Sequence, residues 1–313
     1  MPAHDILATI GHTAIAPLRR LAPANGARIL LKLEGANPTG SMKDRMALAM
    51  VEAAERDGRL GPGGQVVEYT GGSTGVSLAL VCAVKGYPLH IVSSDAFARE
   101  KLDHMRCLGA TLHLVKSEGG RMTGQLTRDM IEMARGIAQA PGSVWTDQLN
   151  NRDQLPAYTA MAEEILEQCG GDVQGFVQCV GTGACLRGNA ERLRAAIPGV
   201  QVVAVEPAES AVLSGGPSGG HKIDGVGAGF VVPMWDPTLP TAIEQVSTDD
   251  AIAMAMRLGR EEGIFAGTST GANVIAALRL AERLGRGATI VTVACDSGMK
   301  YLNQYGPRIA PAT

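Results

Sequence analysis

Short apolar segments alternate with helix-like segments along nearly the whole chain, with glycines placed where helices should stop. Segment 26–34 (GARILLKLE) reads as a strand and 41–58 as a helix ended by Gly58. A strand at 65–70, a helix at 76–86, a strand at 89–94, a helix at 97–109 and a strand at 111–116 continue the series. A second series has a helix at 154–168, a strand at 176–180, a helix at 186–196 and a strand at 200–206. Helices at 248–262 and 271–284 and a strand at 288–294 follow. Short apolar strands separated by helices predict parallel sheets covered on both faces, an α/β fold. Ligands of such sheets bind beyond the carboxyl ends of the strands, where loops meet helix N-termini. The strand-to-helix loops are therefore where chemistry is sought.

The chain has 313 residues, and roughly 100–200 residues per domain predicts two domains. The polar stretch WTDQLNNRDQ lies between the two series. It sets an expected boundary near 148–153, with an N-terminal domain at 1–150 and a C-terminal one at 151–313. A net charge of −3 and the absence of a dense Lys/Arg run argue against a nucleic-acid partner. No apolar run approaches the roughly 18 residues of a membrane span, and the N-terminus lacks a basic-then-apolar signal pattern. The six cysteines form no C-x-x-C pair and no zinc-finger spacing, so no metal site is expected. Most sit in apolar surroundings and read as reduced, largely buried thiols of a cytoplasmic protein.

Four loops carry candidate chemistry. The first is NPTGSMKDR at 37–45, where Asn-Pro and Gly40 mark a turn. Ser41 with Asp44 three residues later resembles a capping box, which would put Lys43 in the first helical turn. The positive end of a helix dipole disfavours a charged amine, and a neutral amine is what imine formation requires. The same loop also fits an ordinary exposed lysine. The second is Thr70-Gly71-Gly72-Ser73-Thr74-Gly75. Its glycines permit close backbone approach and its helix-start N–H groups suit a carboxylate or phosphate; a plain glycine-rich turn is the alternative. It lacks the Gly-Lys-Ser/Thr ending of a nucleotide P-loop. The third, Gly181-Thr182-Gly183-Ala184-Cys185, is another candidate phosphate cradle. A dinucleotide fingerprint would need glycine at 186, where Leu186 stands. The fourth is Gly267-Thr268-Ser269-Thr270-Gly271. A hydroxyl there could meet a ring nitrogen or a phosphate, or simply cap a helix. Gly225-Val226-Gly227-Ala228-Gly229 is too glycine-dense for a regular element and suggests backbone lying against a flat ligand.

In this order the motifs NPTGSMKDR, TGGSTG, DQLNN, GTGACLRG, HKIDGVGAGF and GTSTGAN resemble those of cysteine synthases and cystathionine β-synthases. SSDAFAREKLDHMRCLGA is similar to that family's mobile segment. The resemblance spans nearly the whole chain. It implies two three-layer α/β domains, each an open, mostly parallel sheet flanked by helices, with the active site between them. Strands within about 13–36 would then cross into the other sheet. It implies pyridoxal 5'-phosphate as cofactor, with Lys43 as the imine-forming lysine and α-proton base. By the same resemblance Gly181, Thr182, Gly183, Ala184 and Cys185 hold the phosphate and Ser269 faces the pyridine nitrogen. Thr70, Gly71, Thr74 and Gln148 hold the substrate carboxylate, and Gly225 and Gly227 lie beside cofactor and substrate. The family's second loop usually reads Thr-Ser-Gly-Asn-Thr-Gly. Here Gly71 replaces the serine, and Ser73 replaces the asparagine that reaches the ring hydroxyl. Ala184-Cys185 replaces the cradle's usual Gly-Thr, removing one hydroxyl donor.

The expected activity is β-replacement on an activated L-serine, such as O-acetylserine, by sulfide or another thiol, giving L-cysteine or an analogue. A β-eliminating lyase, cysteine desulfhydrase-like or serine/threonine dehydratase-like, shares every motif. A regulatory homologue that binds the cofactor without the chemistry is a third reading. The resemblance also implies a homodimer and a docked serine acetyltransferase tail.

Overall fold

The computed structural model describes residues 3–120 and 123–309. The chain divides into two compact units, Met1–Ile10 with Lys43–Gln154, and Gly11–Met42 with Leu155–Thr313. It passes from one unit to the other after Ile10, Met42 and Gln154.

In chain order the elements are β1 (Ile15–Pro17), β2 (Arg28–Leu33), α1 (Lys43–Arg56), β3 (Gln65–Tyr69), α2 (Ser73–Lys85) and β4 (Leu89–Ser94). Then come α3 (Arg99–Cys107), β5 (Thr111–Val115), α4 (Gly124–Ile137), β6 (Ser143–Trp145), α5 (Leu155–Gln168) and β7 (Gly175–Cys179). The series ends with α6 (Ala184–Ala196), β8 (Gln201–Pro207), β9 (Ala242–Val246), α7 (Thr248–Arg257), α8 (Thr268–Leu284) and β10 (Thr289–Ala294).

The first unit holds a four-stranded sheet in the order β5-β4-β3-β6, parallel throughout. Val67 and Val92 turn one face of it toward Leu126, Met130 and Ala134 of α4. Those three recur every four residues, the period of a helix with one buried stripe. The next residue along β3, Glu68, points the other way, because strand side chains alternate. The second unit holds a six-stranded sheet, β1-β2-β10-β7-β8-β9. Only β1 runs antiparallel there. Ile29 and Leu31, Val177, and Val203 and Val205 join residues of α7 and α8 in its main core. Lys32, on the opposite face of β2, is fully buried, yet its charge is met by Glu164 of α5 at 2.6 Å. Its Nζ also donates to the Thr13 carbonyl at 2.6 Å, as a buried cation requires.

Three helices begin earlier than the sequence pattern predicts. α2 starts at Ser73 rather than 76, α6 at Ala184 rather than 186, and α8 at Thr268 rather than 271. The glycines within these motifs were expected in loops; instead Gly75 and Gly271 lie inside first turns where a side chain has no room. A Cβ on Gly271 would stand 2.0 Å from the Ala251 carbonyl oxygen. The expected helix at 248–262 is α-helical to Arg257 and continues as a π-turn over Leu258–Glu262. No helix among the described residues is long and apolar enough to cross a membrane. The six cysteines are free thiols, four of them buried.

Candidate active site

Lys43 is the first residue of α1, and the residues before it are fixed to the end of β10. Ser41 pairs with Asp296 in an isolated antiparallel bridge. The Met42 N–H donates to the Cys295 carbonyl at 2.8 Å and the Ser297 N–H to the Gly40 carbonyl at 2.9 Å. Ser41 therefore lies two places ahead of the helix, while the Asp44 carboxylate accepts the Ser77 hydroxyl at 2.5 Å. A buried polar cluster backs this segment. Asn273 Nδ2 donates to Gln178 Oε1 at 3.0 Å and to the Val293 carbonyl at 2.9 Å. Its Oδ1 accepts the Cys179 N–H at 2.7 Å.

Three hydroxyls crowd the first turn of α8. Thr268 Oγ1 accepts the Asp224 N–H and Thr270 Oγ1 the Cys295 N–H, both at 3.1 Å. Ser269 is also buried, but none of the described residues bonds its hydroxyl. Its hydroxyl is therefore available to a ligand at the start of α8.

The glycine-rich loop before α6 packs against the 225–227 segment. A Cβ on Gly181 would fall 2.4 Å from the Gly225 carbonyl oxygen, and the Gly227 N–H donates to the Val180 carbonyl at 3.1 Å. Gly183 caps α6 at φ +90° and has no side chain to cap it, and the Thr182 hydroxyl accepts the Ala184 N–H only at 3.4 Å. The loop thus brings glycine backbone and one hydroxyl to a helix N-terminus, a ready anion site.

In the other unit the 70–75 loop is braced from the turn that follows β6. Thr74 Oγ1 donates to Gln148 Oε1 at 2.7 Å, and Gln148 Nε2 donates to the Tyr69 carbonyl at 3.3 Å. The Gly72 N–H donates to Thr70 Oγ1 at 3.1 Å. Thr70, Gly71, Ser73, Thr74 and Gln148 therefore gather within one unit; Gly181 to Cys185, Gly225, Gly227 and Ser269 gather within the other.

The sequence profile described as "Pyridoxal-phosphate dependent enzyme" matches residues 6–296. The chain belongs to the pyridoxal-phosphate dependent enzyme family. A cysteine synthase of Staphylococcus aureus is 38% identical over 308 residues, 96% of each chain. The solved cysteine synthase of Entamoeba histolytica superposes with a TM-score of 0.92 at 34% identity, covering 100% of this chain and 93% of that one. A solved O-ureido-L-serine synthase gives 0.93 at 34% identity, covering 99% and 97%. The two mostly parallel, helix-flanked sheets are those of this pyridoxal-phosphate enzyme fold.

The pyridoxal-phosphate family's cofactor fits the residues present. A cradle with no space for a Cβ, a helix start capped by glycine and an available Ser269 hydroxyl offer a phosphate seat and a ring-nitrogen partner. The buried thiols are poor rivals for nucleophilic chemistry: burial pushes Cys82 up to about 12 and raises Cys179 well above the ordinary thiol range.

Three features escaped the sequence reading. Phe97 explains Gly71, since a Cβ there would lie 1.9 Å from the ring. Gly71→Ser, which restores the family's usual residue, is therefore expected to cost about 1–3 kcal/mol and to raise KM for the amino-acid substrate. Adding Phe97→Ala should return most of both, as a double-mutant cycle of melting and kinetics would show. Asp147 sits at φ +43°, in the left-handed region, within the turn that presents Gln148. Glu68 lies fully buried beneath that turn, and loss of water raises its carboxyl to about 7. A lone acid among valines on a buried strand was the signal for it. Its folded value exceeds the ordinary 4.5, so its favourable contribution is full below 4.5 and lost as pH rises toward 7. Against Glu68→Gln, the wild type is expected to lose on the order of 3 kcal/mol between pH 4.5 and 8. Urea denaturation of both proteins across that range checks it.

Proposed function

We propose that this chain is a cysteine synthase-type enzyme, replacing the β-substituent of an O-acetylserine-like L-serine with sulfide or another thiol. The observation that carries the reading is 38% identity over 96% of both chains with a cysteine synthase. The cofactor, when bound, supplies an electron sink for the bond-breaking at the substrate's α-carbon.

This chain's own residues do the rest. Lys43 Nζ would hold the cofactor, and its amine would serve as the base that takes the substrate's α-proton. Gly181, Thr182, Gly183, Ala184 and Cys185 hold the phosphate through backbone N–H groups and the Thr182 hydroxyl. Ser269 would donate its hydroxyl to the ring nitrogen without protonating it, because a hydroxyl is a weak acid. Such a neutral partner would suit loss of a β-leaving group better than transamination. Ser73 stands where a side chain meets the ring hydroxyl. Thr70, Gly71, Thr74 and Gln148 grip the substrate carboxylate and so orient the α-hydrogen for removal. Gly225 and Gly227 give the flat ligand close approach.

Supplying O-acetyl-L-serine with and without sulfide tests the reading. Cysteine formed only with sulfide supports replacement. Pyruvate in both arms would assign elimination. The equal likeness to an O-ureido-L-serine synthase makes hydroxyurea the first alternative nucleophile to try. By family likeness the enzyme is a cytoplasmic homodimer, and a serine acetyltransferase tail is its partner. Light scattering with and without a peptide of that tail tests both associations.

A further inference from the structure

Glu68 takes part in none of the steps above, yet it is a fully buried acid with three hydrogen bonds. Its Oε2 accepts the Thr146 hydroxyl at 2.7 Å and the Gln148 N–H at 3.0 Å, and its Oε1 accepts the Tyr69 N–H at 2.9 Å. Gln148 is the residue whose side chain holds Thr74. The peptide between is the one strained into the left-handed region at Asp147. A residue that is not glycine stays there only if its surroundings hold it, and Glu68 supplies that hold from both sides of the turn.

We propose that Glu68 is a positioning residue for recognition of the substrate carboxylate: it fixes Gln148 and, through it, Thr74, and it holds a proton more tightly when the anionic substrate is bound. The inference rests on the proposed role of the 70–75 loop.

The protonated state needs no rearrangement of the chain. The Thr146 hydroxyl lies 3.3 Å from the Val67 carbonyl as well as 2.7 Å from Glu68. It can turn to donate to that carbonyl and accept the Glu68 proton, leaving Tyr69 and Gln148 still bonded. The clamp therefore survives protonation, and charge decides the rest. Among the groups around Glu68, Asp147 opposes its ionised form, and the Tyr69 phenol is itself raised to about 12 by burial and by Glu68. Across β4 the facing residue is apolar Ile91. On the neighbouring helices Asp44 is bonded to Ser77, and Arg45 follows it on α1. A second anion at Gln148 adds to the opposition, so the bound complex takes a proton from solvent onto Glu68. Burial already sets the group near neutrality. Carboxylate affinity is therefore expected to weaken as pH rises through about 7.

The experiment titrates the cofactor-loaded enzyme with L-alanine, which has the amine and carboxylate but no leaving group, from pH 6 to 8.5. Visible spectra and calorimetry in two buffers of different ionisation heat are read on wild type, Glu68→Gln and Glu68→Ala. Titration of the ligand's amine is common to all three, so the ratio of wild-type to Glu68→Gln affinity is the readout. That ratio is expected to fall about tenfold across the range, for a coupling of one pKa unit. Extra proton uptake should appear in the wild type alone. Glu68→Ala should bind L-alanine about tenfold more weakly at pH 6.5, the loss of one hydrogen-bonded brace, with cofactor affinity unchanged. A merely structural role would lower the melting temperature and leave the ratio flat. A flat ratio with equal proton uptake overturns the proposal, and should Glu68→Ala fail to fold, the near-isosteric Glu68→Gln decides alone. No response to L-alanine in the wild type at any pH would instead bring down the amino-acid reading of the site, and this inference with it.

Discussion

Lys43→Ala is expected to lower kcat for β-replacement by about a thousandfold or more, since one change removes both the covalent attachment point and the general base. The fold should be indifferent. Lys43 opens α1 half-buried, and alanine is the strongest helix former. The check is chemical as well as kinetic. Wild type saturated with vitamin B6 cofactor should absorb visible light, and borohydride followed by peptide mapping should place one adduct at residue 43. The variant should give neither result. Normal turnover, or an adduct mapped elsewhere, would reject Lys43.

Gly181→Ala is expected to be the most damaging change in the phosphate loop. The added methyl would meet the Gly225 carbonyl oxygen at 2.4 Å. Both partners are backbone, so no rotamer relieves the contact, and one of two ligand-facing loops has to move. Overpacking of this kind costs about 1–3 kcal/mol. Since the displaced loop is also the proposed cradle, cofactor affinity is expected to drop about a hundredfold, equivalent to about 2.7 kcal/mol. Equilibrium binding followed by the visible band measures it, and unchanged affinity would remove Gly181 from the cradle. Gly72→Ala, where a Cβ meets nothing within 4 Å, serves as the steric control.

Alternation of apolar strands with helices was enough to read the α/β class, because parallel strands buried on both faces leave a strong signal. The elements the sequence reading left out carry weaker patterns. β6 is three residues long, and β9 is a half-buried edge strand with Glu244 and Gln245 at its centre. α4 was legible in principle: Thr123 caps it through the Leu126 N–H at 3.1 Å, and Leu126, Met130 and Ala134 are spaced for one face. Its opening glycine hid it. Within the candidate site the glycine and hydroxyl motifs were visible as local strings. What supports them was not, because support comes from afar. Asn273 reaches Gln178 across 95 residues, and Gln148 reaches Glu68 across 80. Phe97 filling the space above Gly71 is likewise a matter of volume that no string of letters displays.

Strand β2 finds its parallel partner β10 only 261 residues further along, where Thr289 pairs with Arg28. During synthesis at about 5–20 residues per second, that partner emerges roughly 13–50 s later. The stretch Lys43–Gln154, meanwhile, contains every strand of the four-stranded sheet and can close without waiting. For that interval the apolar ribbon RILLKL would offer two open edges to any other nascent chain. The short antiparallel β1 occupies one of them from the outset. A strand of three residues thus acts as a chaperone in cis, halving the sticky perimeter until the last strand arrives.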